Sequence, residues 1–101
     1  MILYHGTSSV FLTKILTEGL RSYFHDDNHI YLTSNMSEAR GWAEMRVLER
    51  TDATGHGGAP VVLEVCVSKA PSGTYAGLHQ TQQDEHFVYL GTISPECLKV
   101  L

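Results

Sequence analysis

One continuous apolar segment constrains the fold of this chain more than any other feature of its sequence. Residues 61–67 read Val-Val-Leu-Glu-Val-Cys-Val, and only one of these seven residues is charged. A run of this length that is rich in β-branched side chains and follows a proline predicts a β-strand. Because the apolar residues are continuous and do not alternate with polar ones, we expect this strand to lie in the centre of a sheet.

The N-terminal segment predicts a short strand followed by a helix. Residues 2–5 form the strand, and residues 8–18 form the helix, in which apolar side chains recur at helical spacing. Thr7 or Ser8 supplies a side-chain oxygen for the helix N-terminus, and Gly19 follows the last turn as a stop signal. A helix is therefore expected almost directly after the first strand.

A second helix is predicted from Asn35 to about Arg50. Ser34 or Asn35 can cap its first turn, and Glu38 lies three residues after Asn35, as in a capping box. One side of this helix is expected to pack against the sheet. The residues on that side are Ala39, Trp42, Ala43 and Val47.

Three further strands and three loops complete the expected secondary structure. The strands are residues 29–33, 84–90 and 98–101, and the loops are residues 20–28, the glycine-rich residues 51–60 and residues 68–83. A length of 101 residues fits one domain, comprising residues 1–101. The sequence thus predicts a single α+β domain with a small, split, largely antiparallel sheet and two helices.

The composition excludes several classes of function. Seven Lys and Arg residues and a formal net charge of −4 give no electrostatic footprint for strong binding to a phosphate backbone. A small nucleotide, or a few nucleotides in a cleft, remains compatible with this charge. No stretch approaches the roughly 20 apolar residues that span a bilayer, and no signal peptide is visible, so we expect a cytoplasmic protein without membrane contact.

The potential metal ligands of the chain do not form a recognisable site. Cys66 and Cys97 have no CxxC neighbour, which argues against zinc and favours a reducing compartment, with a single disulfide as the alternative. Residues 25–29, His-Asp-Asp-Asn-His, contain metal-ligand types, but a polar loop before a strand is the favoured interpretation. We therefore expect no bound metal.

Three of the predicted strands each carry one chemically reactive side chain. These are His5 in the first strand, Tyr31 in the second and Glu85 at the start of the strand at residues 84–90. Taken singly, each has a structural interpretation: a histidine at a strand end, a packed tyrosine and a solvated carboxylate. Their combination in this order carries more information than any one of them.

The sequences around these residues resemble the three motifs of the His-Tyr-Glu branch of the ADP-ribosyltransferase superfamily, which includes diphtheria-type toxins and poly(ADP-ribose) polymerases. The first motif, a strand ending in His-Gly-Thr, is similar to Tyr-His-Gly-Thr at residues 4–7. The second is similar to Ile-Tyr-Leu-Thr-Ser at residues 30–34, followed by Ser-Glu-Ala at residues 37–39. The third is similar to Asp-Glu-His-Phe-Val-Tyr at residues 84–89. The resemblance spans nearly the whole chain and implies a minimal ADP-ribosyltransferase fold.

The overall layout is also similar to the C-terminal lobe of RNA 2′-phosphotransferases, a sister branch of the superfamily. In this chain Tyr31 stands where the second motif of those enzymes has its last histidine, and Glu85 fits the His-Tyr-Glu branch instead. The segments that carry the similarity are residues 4–7, 18–20, 29–32, 60–63 and 88–90.

The resemblance implies that NAD is the substrate and gives each motif a role. Cleavage of the bond to nicotinamide develops oxocarbenium character on the ribose, and Glu85 would orient that ribose, stabilise the charge and activate the acceptor. Tyr31 would stack on the nicotinamide ring. The backbone of Gly6 would approach the carboxamide, and His5 would bond a hydroxyl of the adenosine ribose with Thr7 beside it.

Further contacts with NAD and the acceptor are implied less directly. Family members often carry a second aromatic residue on the helix after the tyrosine motif, and Trp42 is the nearest candidate here, although it equally suits a core position. The serine that contacts the carboxamide falls near Ser37 or Glu38. The glutamine-containing residues 80–83 lie where relatives recognise their target, or they form a solvated loop.

The function implied is the transfer of a single ADP-ribose from NAD to a macromolecular acceptor. The acidic net charge favours a protein over a nucleic acid as acceptor, and the small size suits a phage or bacterial effector. The alternatives are an NAD glycohydrolase toxin, an RNA 2′-phosphotransferase-like or nucleic-acid ADP-ribosylating enzyme, and an inactive module that binds NAD or ADP-ribose.

Overall fold

A computed structural model of the chain describes residues 2–21, 30–66, 78–80, 85–89 and 91–101. Within these residues the molecule has two α-helices, a mostly antiparallel sheet and a second, two-stranded sheet. The predicted α+β class with two helices is therefore confirmed. The bounds are β1 Ile2–Ser8, α1 Leu12–Glu18, β2 Leu20–Arg21, β3 Ile30–Thr33, α2 Met36–Thr54, β4 Pro60–Cys66, β5 Leu78–Gln80, β6 His86–Tyr89, β7 Thr92–Ile93 and β8 Leu98–Val100, with 3₁₀ turns at Ser9–Phe11 and Pro95–Cys97.

The larger sheet has the strand order β5-β6-β3-β1-β4-β8, and every neighbouring pair is antiparallel. The predicted central strand at residues 61–67 corresponds to β4, which lies between β1 and β8. Strands β2 and β7 form the second sheet. This order places the three strands β6, β3 and β1 next to one another.

Strand β1 pairs very differently along its two edges. All of its seven residues pair with β4, from Ile2 opposite Cys66 to Ser8 opposite Pro60. Along the other edge, within residues 2–8 and 30–33, the register has a single pair, Tyr4 opposite Thr33. Strands β1 and β3 therefore separate beyond Tyr4, and the sheet is split at that point.

Side chains of β1 alternate between two differently covered faces of the sheet. Leu3, His5 and Thr7 point to the face on which α1 packs, and all three are buried. This face holds the main hydrophobic core. The core residues are Leu3, Ile15, Leu20, Ile30, Leu32, Leu63, Val65, Tyr89, Ile93 and Cys97.

Helix α2 packs against the opposite face of the sheet, and its contact with β1 is made at Gly6. A Cβ atom at Gly6 would lie 2.7 Å from the backbone nitrogen of Ala43 and closer still to the carbonyl oxygen of Ala39. Both alanines are fully buried. Residue 6 therefore has a packing reason to be glycine, because any larger residue would push the helix away from the strand.

The N-cap of α2 and the end of α1 agree with the sequence, whereas the cap predicted for the first helix at Thr7 or Ser8 is wrong for α1, because Phe11 precedes that helix and makes no side-chain capping bond. The Asn35 side-chain oxygen accepts a hydrogen bond of 3.2 Å from the backbone nitrogen of Glu38, as the N-cap of α2. Gly19 ends α1 at a φ of 89°, where glycine is favoured. Ser8 accepts a bond from Val10 and caps the 3₁₀ turn before α1.

Several boundaries differ from the sequence-based expectation because of contacts between distant segments. Residues 20–21, expected in the loop at residues 20–28, form β2 on β7, and Glu85 lies in a turn before β6 instead of inside the strand predicted at residues 84–90. Strand β1 continues to Ser8 instead of ending at residue 5, since β4 pairs along its whole length. The predicted helix at residues 8–18 consequently starts as a 3₁₀ turn, and α1 proper begins at Leu12. Helix α2 runs to Thr54 instead of Arg50, so the expected loop from residue 51 is wrong for residues 51–54. Residues 78–80, expected to lie in a loop, form β5 on β6.

The glycine-rich connection between α2 and β4 is held against the end of β1. Gly57 is buried, and its carbonyl oxygen accepts a hydrogen bond from the Ser8 hydroxyl. Ser9 donates from its backbone nitrogen to Ala59 O at 2.8 Å, and Ala59 donates back to the Ser9 hydroxyl at 2.9 Å. These bonds join the start of β4 to the end of β1.

The structure bears on two further expectations, membrane contact and the state of the two cysteines. Over the described part of the chain, no helix combines the length and the hydropathy needed to cross a membrane. Cys66 and Cys97 are both thiols, so the alternative of a disulfide between them is not adopted.

The close contact at Gly6 leads to a prediction about stability. Gly6→Ala should lower the free energy of unfolding by about 1–3 kcal/mol, because the new methyl group meets backbone atoms of α2 that cannot rotate away. Thermal unfolding should show a Tm lower by roughly 4–8 °C for each kcal/mol. Gly41→Ala is the matched control, since Gly41 is exposed in α2 with no atom within 4 Å of its Cβ position. That variant should gain about 0.5–1 kcal/mol from helix propensity, and a Gly6→Ala protein as stable as wild type would contradict the packing argument.

Candidate functional site

The strand order brings the three motif-bearing strands side by side. His5 lies on β1, Tyr31 lies on the adjacent β3, and Glu85 directly precedes β6, which pairs with β3 on its other edge. These segments are far apart in sequence, and only the antiparallel pairing of β3 with β1 and β6 makes them neighbours. The candidate site is therefore built around β3.

His5 bridges the two strands at the place where they separate. The side chain is buried, with 5% of its surface exposed, and its Nδ1 atom lies 2.9 Å from the carbonyl oxygen of Tyr31. A carbonyl oxygen can only accept, so Nδ1 carries the proton and donates. In the neutral ring Nε2 is then an acceptor, which fixes the tautomer of this histidine.

Tyr31 projects from the opposite face of the sheet. It alternates along β3 with Ile30 and Leu32, which are fully buried in the core, and 42% of its own surface is exposed. An exposed tyrosine in the middle of a strand, between two buried residues, presents a flat aromatic surface to solvent on the α2 face.

Glu85 is held by the turn that joins β3 to α2. Its backbone carbonyl oxygen accepts a hydrogen bond of 2.9 Å from the nitrogen of Ser34. Its carboxylate oxygen Oε2 lies 3.4 Å from Nδ2 of Asn35, which donates to it. Glu85 is exposed, so its carboxylate is accessible from solvent while the turn orients it.

Asn35 makes several contacts at the candidate site, and the sequence predicted only its role as the cap of α2. Its side-chain oxygen caps α2, as predicted, and its side-chain nitrogen contacts Glu85. Its backbone nitrogen donates to the Thr33 hydroxyl at 3.1 Å, which fixes the turn itself. One residue thereby links the start of α2 to the carboxylate before β6.

A second contact between α2 and β6 was not anticipated from the sequence. Nε2 of His86 donates to the Glu38 carboxylate, so Glu38 does not complete the predicted capping box. Trp42 packs edge-on against His86, with the ring centroids 5.3 Å apart. The available signal was the strand alternation, which places His86 on the face opposite to Phe87 and Tyr89, the residues of β6 that face the core. Trp42 is half-buried on the α2 face, the same face as Tyr31.

The predicted residues do not form one compact cluster. His5 and Thr7 point to the α1 face of the sheet, whereas Tyr31 and Trp42 lie on the α2 face. Glu85 is bonded at Ser34, three residues beyond Tyr31, a distance of about 10 Å along an extended strand. The set thus extends from the gap between β1 and β3 to the start of β6, and to both faces of the sheet.

A cavity opens on the α1 face beside His5 and Thr7. Its volume is about 260 Å³, and it is open to solvent on one side. Helix α1 and the 3₁₀ turn before it form one wall, and the guanidinium of Arg50 lies 4.9 Å above the ring of Phe11, the last residue of that turn. The lining residues are His5, Thr7, Phe11, Lys14, Ile15, Leu20 and Arg46.

The remaining predicted site residues are less informative. Ser37 is exposed in the first turn of α2. Residues 25–29, with their metal-ligand types, and residues 81–84, with two of the three glutamines, lie outside the described residues. The metal-free interpretation of residues 25–29 therefore stays a prediction.

Comparison with known proteins does not assign this chain to a family. No protein-family model matches the chain, and a search of curated proteins finds no significant match. The functional argument consequently rests on the motifs and on the arrangement just described.

The double role of Asn35 leads to a prediction that separates its two contacts. Asn35→Ala removes the cap and should destabilise the protein by about 1 kcal/mol, whereas Asn35→Ser keeps a capping oxygen without the side-chain nitrogen and should unfold close to the wild-type Tm. Chemical denaturation of the three proteins measures the difference. Equal stability of the alanine variant and wild type would show that the cap of α2 contributes nothing.

Proposed function

We propose that this protein is a mono-ADP-ribosyltransferase that uses NAD to modify a macromolecular acceptor. The observation that carries this proposal is the strand order β6-β3-β1 around a split in the sheet. It supports the proposal because His5 and Tyr31 lie on two adjacent strands and Glu85 directly precedes the third, so residues of all three motifs are brought to neighbouring strands. No metal is involved in the proposed reaction.

The arrangement suits a ligand that passes through the gap between β1 and β3. Tyr31 offers an exposed ring on the α2 face, against which nicotinamide would stack. His5 and Thr7 face the cavity on the other side, where adenosine would lie. With the proton of His5 held on Nδ1 by Tyr31 O, Nε2 is the atom that would accept a hydrogen bond from a ribose hydroxyl.

The separation of β1 from β3 also gives Gly6 its proposed role. Helix α2 packs directly against the Cα atom of Gly6. A ligand would therefore reach the backbone of Gly6 only along the strand edge that faces β3. Backbone amide and carbonyl groups on such an edge supply one donor and one acceptor in fixed positions. A carboxamide needs this pair, and Ser37 and Trp42 on α2 would complete its surroundings.

In the proposed reaction, the bond between nicotinamide and the ribose breaks, and the electron pair leaves with nicotinamide, which becomes neutral. Positive charge develops on the ribose, and the Glu85 carboxylate would stabilise it and accept the proton of the acceptor nucleophile. Asn35 would orient Glu85 through its side-chain nitrogen. The acceptor oxygen or nitrogen forms the new bond to the ribose carbon.

We favour a protein as acceptor and the cytoplasm as the place of action, as for a phage or bacterial effector. The net charge of −4 disfavours a nucleic-acid backbone as the partner. Water, RNA and DNA are the competing acceptors, and they are distinguished by the products.

Transfer of label tests the proposal directly. The purified protein is incubated with NAD labelled in the adenylate part and a bacterial lysate, and label is counted separately in protein and nucleic acid while free nicotinamide is assayed. Label in the protein fraction is expected, and Glu85→Gln should reduce it by at least 100-fold, since it removes the charge that stabilises the transition state. Glu49→Gln is the matched control, because Glu49 is exposed on α2 and lies about 20 Å along the helix from Asn35.

Each alternative product has a defined meaning in this experiment. Label in nucleic acid would move the acceptor to RNA or DNA, and nicotinamide release without label would identify a glycohydrolase. Binding of NAD without any turnover would overturn the proposed catalysis and leave a binding module.

The tautomer of His5 leads to a further prediction. His5→Asn can keep a donor toward Tyr31 O but has no group at the position of Nε2. The variant should therefore fold with a Tm near that of wild type, and the KM for NAD should rise about 3- to 10-fold, as for the loss of one hydrogen bond. His5→Ala removes both contacts and should also be less stable. An unchanged KM in His5→Asn would exclude a contact between Nε2 and NAD.

A further inference from the structure

The position of the Glu85 side chain depends on the residue that follows it. Glu85 lies in the turn before β6, and within the described residues its own atoms accept two hydrogen bonds, from the Ser34 nitrogen and from the Asn35 side chain. At 3.4 Å the bond from Asn35 is longer than the roughly 2.7–3.2 Å of a well-formed N–H···O bond. The direction of the carboxylate is therefore set mainly by how the chain is fixed at His86.

His86 is fixed by contacts with both β3 and α2. As the first residue of β6, it is paired with Thr33 of β3. Its Nε2 atom donates to the Glu38 carboxylate, and its ring lies edge-on against Trp42, with the ring centroids 5.3 Å apart. The side chains of His86 and Glu38 are 25% and 30% exposed, so salt screens this pair less than it would a fully exposed pair. The start of β6 is thus held against the helix.

The part of α2 that receives this imidazole is the part that is fixed on β1. Glu38 and Trp42 are four residues apart, so their side chains are neighbours on the helix surface and reach the same ring. The residues that follow them, Ala39 and Ala43, lie with their backbone directly against Gly6. A continuous series of packed groups therefore leads from β1 through α2 to the start of β6.

The buried hydroxyl of Thr33 makes Glu38 available for this contact. In a capping box, a glutamate at this position accepts a hydrogen bond from the backbone nitrogen of the N-cap residue. Here that nitrogen, of Asn35, donates instead to the Thr33 hydroxyl at 3.1 Å, and Thr33 is fully buried. The Glu38 carboxylate can therefore hold His86 without leaving the nitrogen of the cap residue unsatisfied.

We propose that His86 is a positioning residue for the Glu85 carboxylate and acts through its contacts with Glu38 and Trp42. By fixing the first residue of β6 on α2, it directs the preceding carboxylate toward Asn35 at the start of the helix. The effect on catalysis rests on the proposed function, whereas the effect on the contact between Glu85 and Asn35 does not.

Two measurements on the purified full chain test this role, and one of them needs no turnover. Proton–nitrogen NMR spectra record the side-chain amide signals of Asn35, which report its contact with Glu85. The variant Glu85→Ala defines the position of these signals when the contact is lost. The rate of nicotinamide release gives kcat and the KM for NAD.

The variants address the bond from both of its ends. His86→Leu and Glu38→Leu each break it, so the test does not depend on the folding of one variant. His86→Gln can donate to Glu38 from an amide near the position of Nε2. His56→Leu is the matched control, because His56 is exposed in the connection between α2 and β4.

We expect the Asn35 signals of both leucine variants at residues 38 and 86 to move toward those of Glu85→Ala, and those of His86→Gln and His56→Leu to stay near wild type. In the two leucine variants kcat should fall about 10- to 100-fold, as for a misplaced catalytic group, while the KM for NAD stays within about twofold of wild type. His86→Gln should recover most of the lost kcat. A protein carrying both leucine substitutions should lose no more than either single variant, because each removes the same bond.

The inference is overturned if the Asn35 signals of both leucine variants match wild type, or if the KM for NAD rises while kcat is unchanged. Failure of His86→Gln to recover either the signals or kcat would assign the effect to the ring volume and contradict the role of the bond. Nicotinamide release that both leucine variants retain would leave the proposed function standing and reject the positioning role. If wild type releases no nicotinamide, the proposed function fails, and the Asn35 signals alone decide whether His86 positions Glu85.

Discussion

The close approach of α2 to β1 at Gly6 is the contact on which the rest of the structure depends. Because Gly6 has no side chain, the backbone of α2 at Ala39 and Ala43 lies directly on the strand. This contact fixes the helix along β1, and the helix then positions Asn35 beside Glu85 at one end and Arg46 beside the cavity farther along. Elements that lie far apart in the candidate site are thus held by a single rigid helix.

Strand β1 is fixed along one edge and separated along the other, and His5 makes this arrangement stable. The ladder with β4 holds the whole strand, whereas the pairing with β3 is confined to Tyr4 and Thr33. The separation would leave the carbonyl oxygen of Tyr31 without its strand partner. The imidazole of His5 donates to this oxygen from a buried position, where an unpaired carbonyl would be costly. The same bond sets the tautomer that leaves Nε2 as the acceptor.

The charges of the candidate site are arranged with opposite signs at opposite ends. The Glu85 carboxylate lies at the β6 end, held by Asn35, and Lys14 and Arg46 lie at the cavity on the other side of β3. NAD, the substrate in the proposed function, has a cationic nicotinamide and anionic phosphates, and would match this distribution. Such complementarity orients a ligand more than it tightens binding. An extended ligand across the gap between β1 and β3 would therefore have one favoured direction.

The sequence by itself determined the features that depend on neighbouring residues. Asn35 and Gly19 mark helix ends because a side-chain oxygen and a left-handed backbone act within one turn, and the three motifs could be read as short strings. The tertiary structure alone decided which faces these residues occupy, that residues 78–80 pair with β6, and that Lys14 and Arg46 meet at one cavity. These features depend on contacts between segments tens of residues apart. Their energies come from packing and strand pairing, which local sequence does not encode.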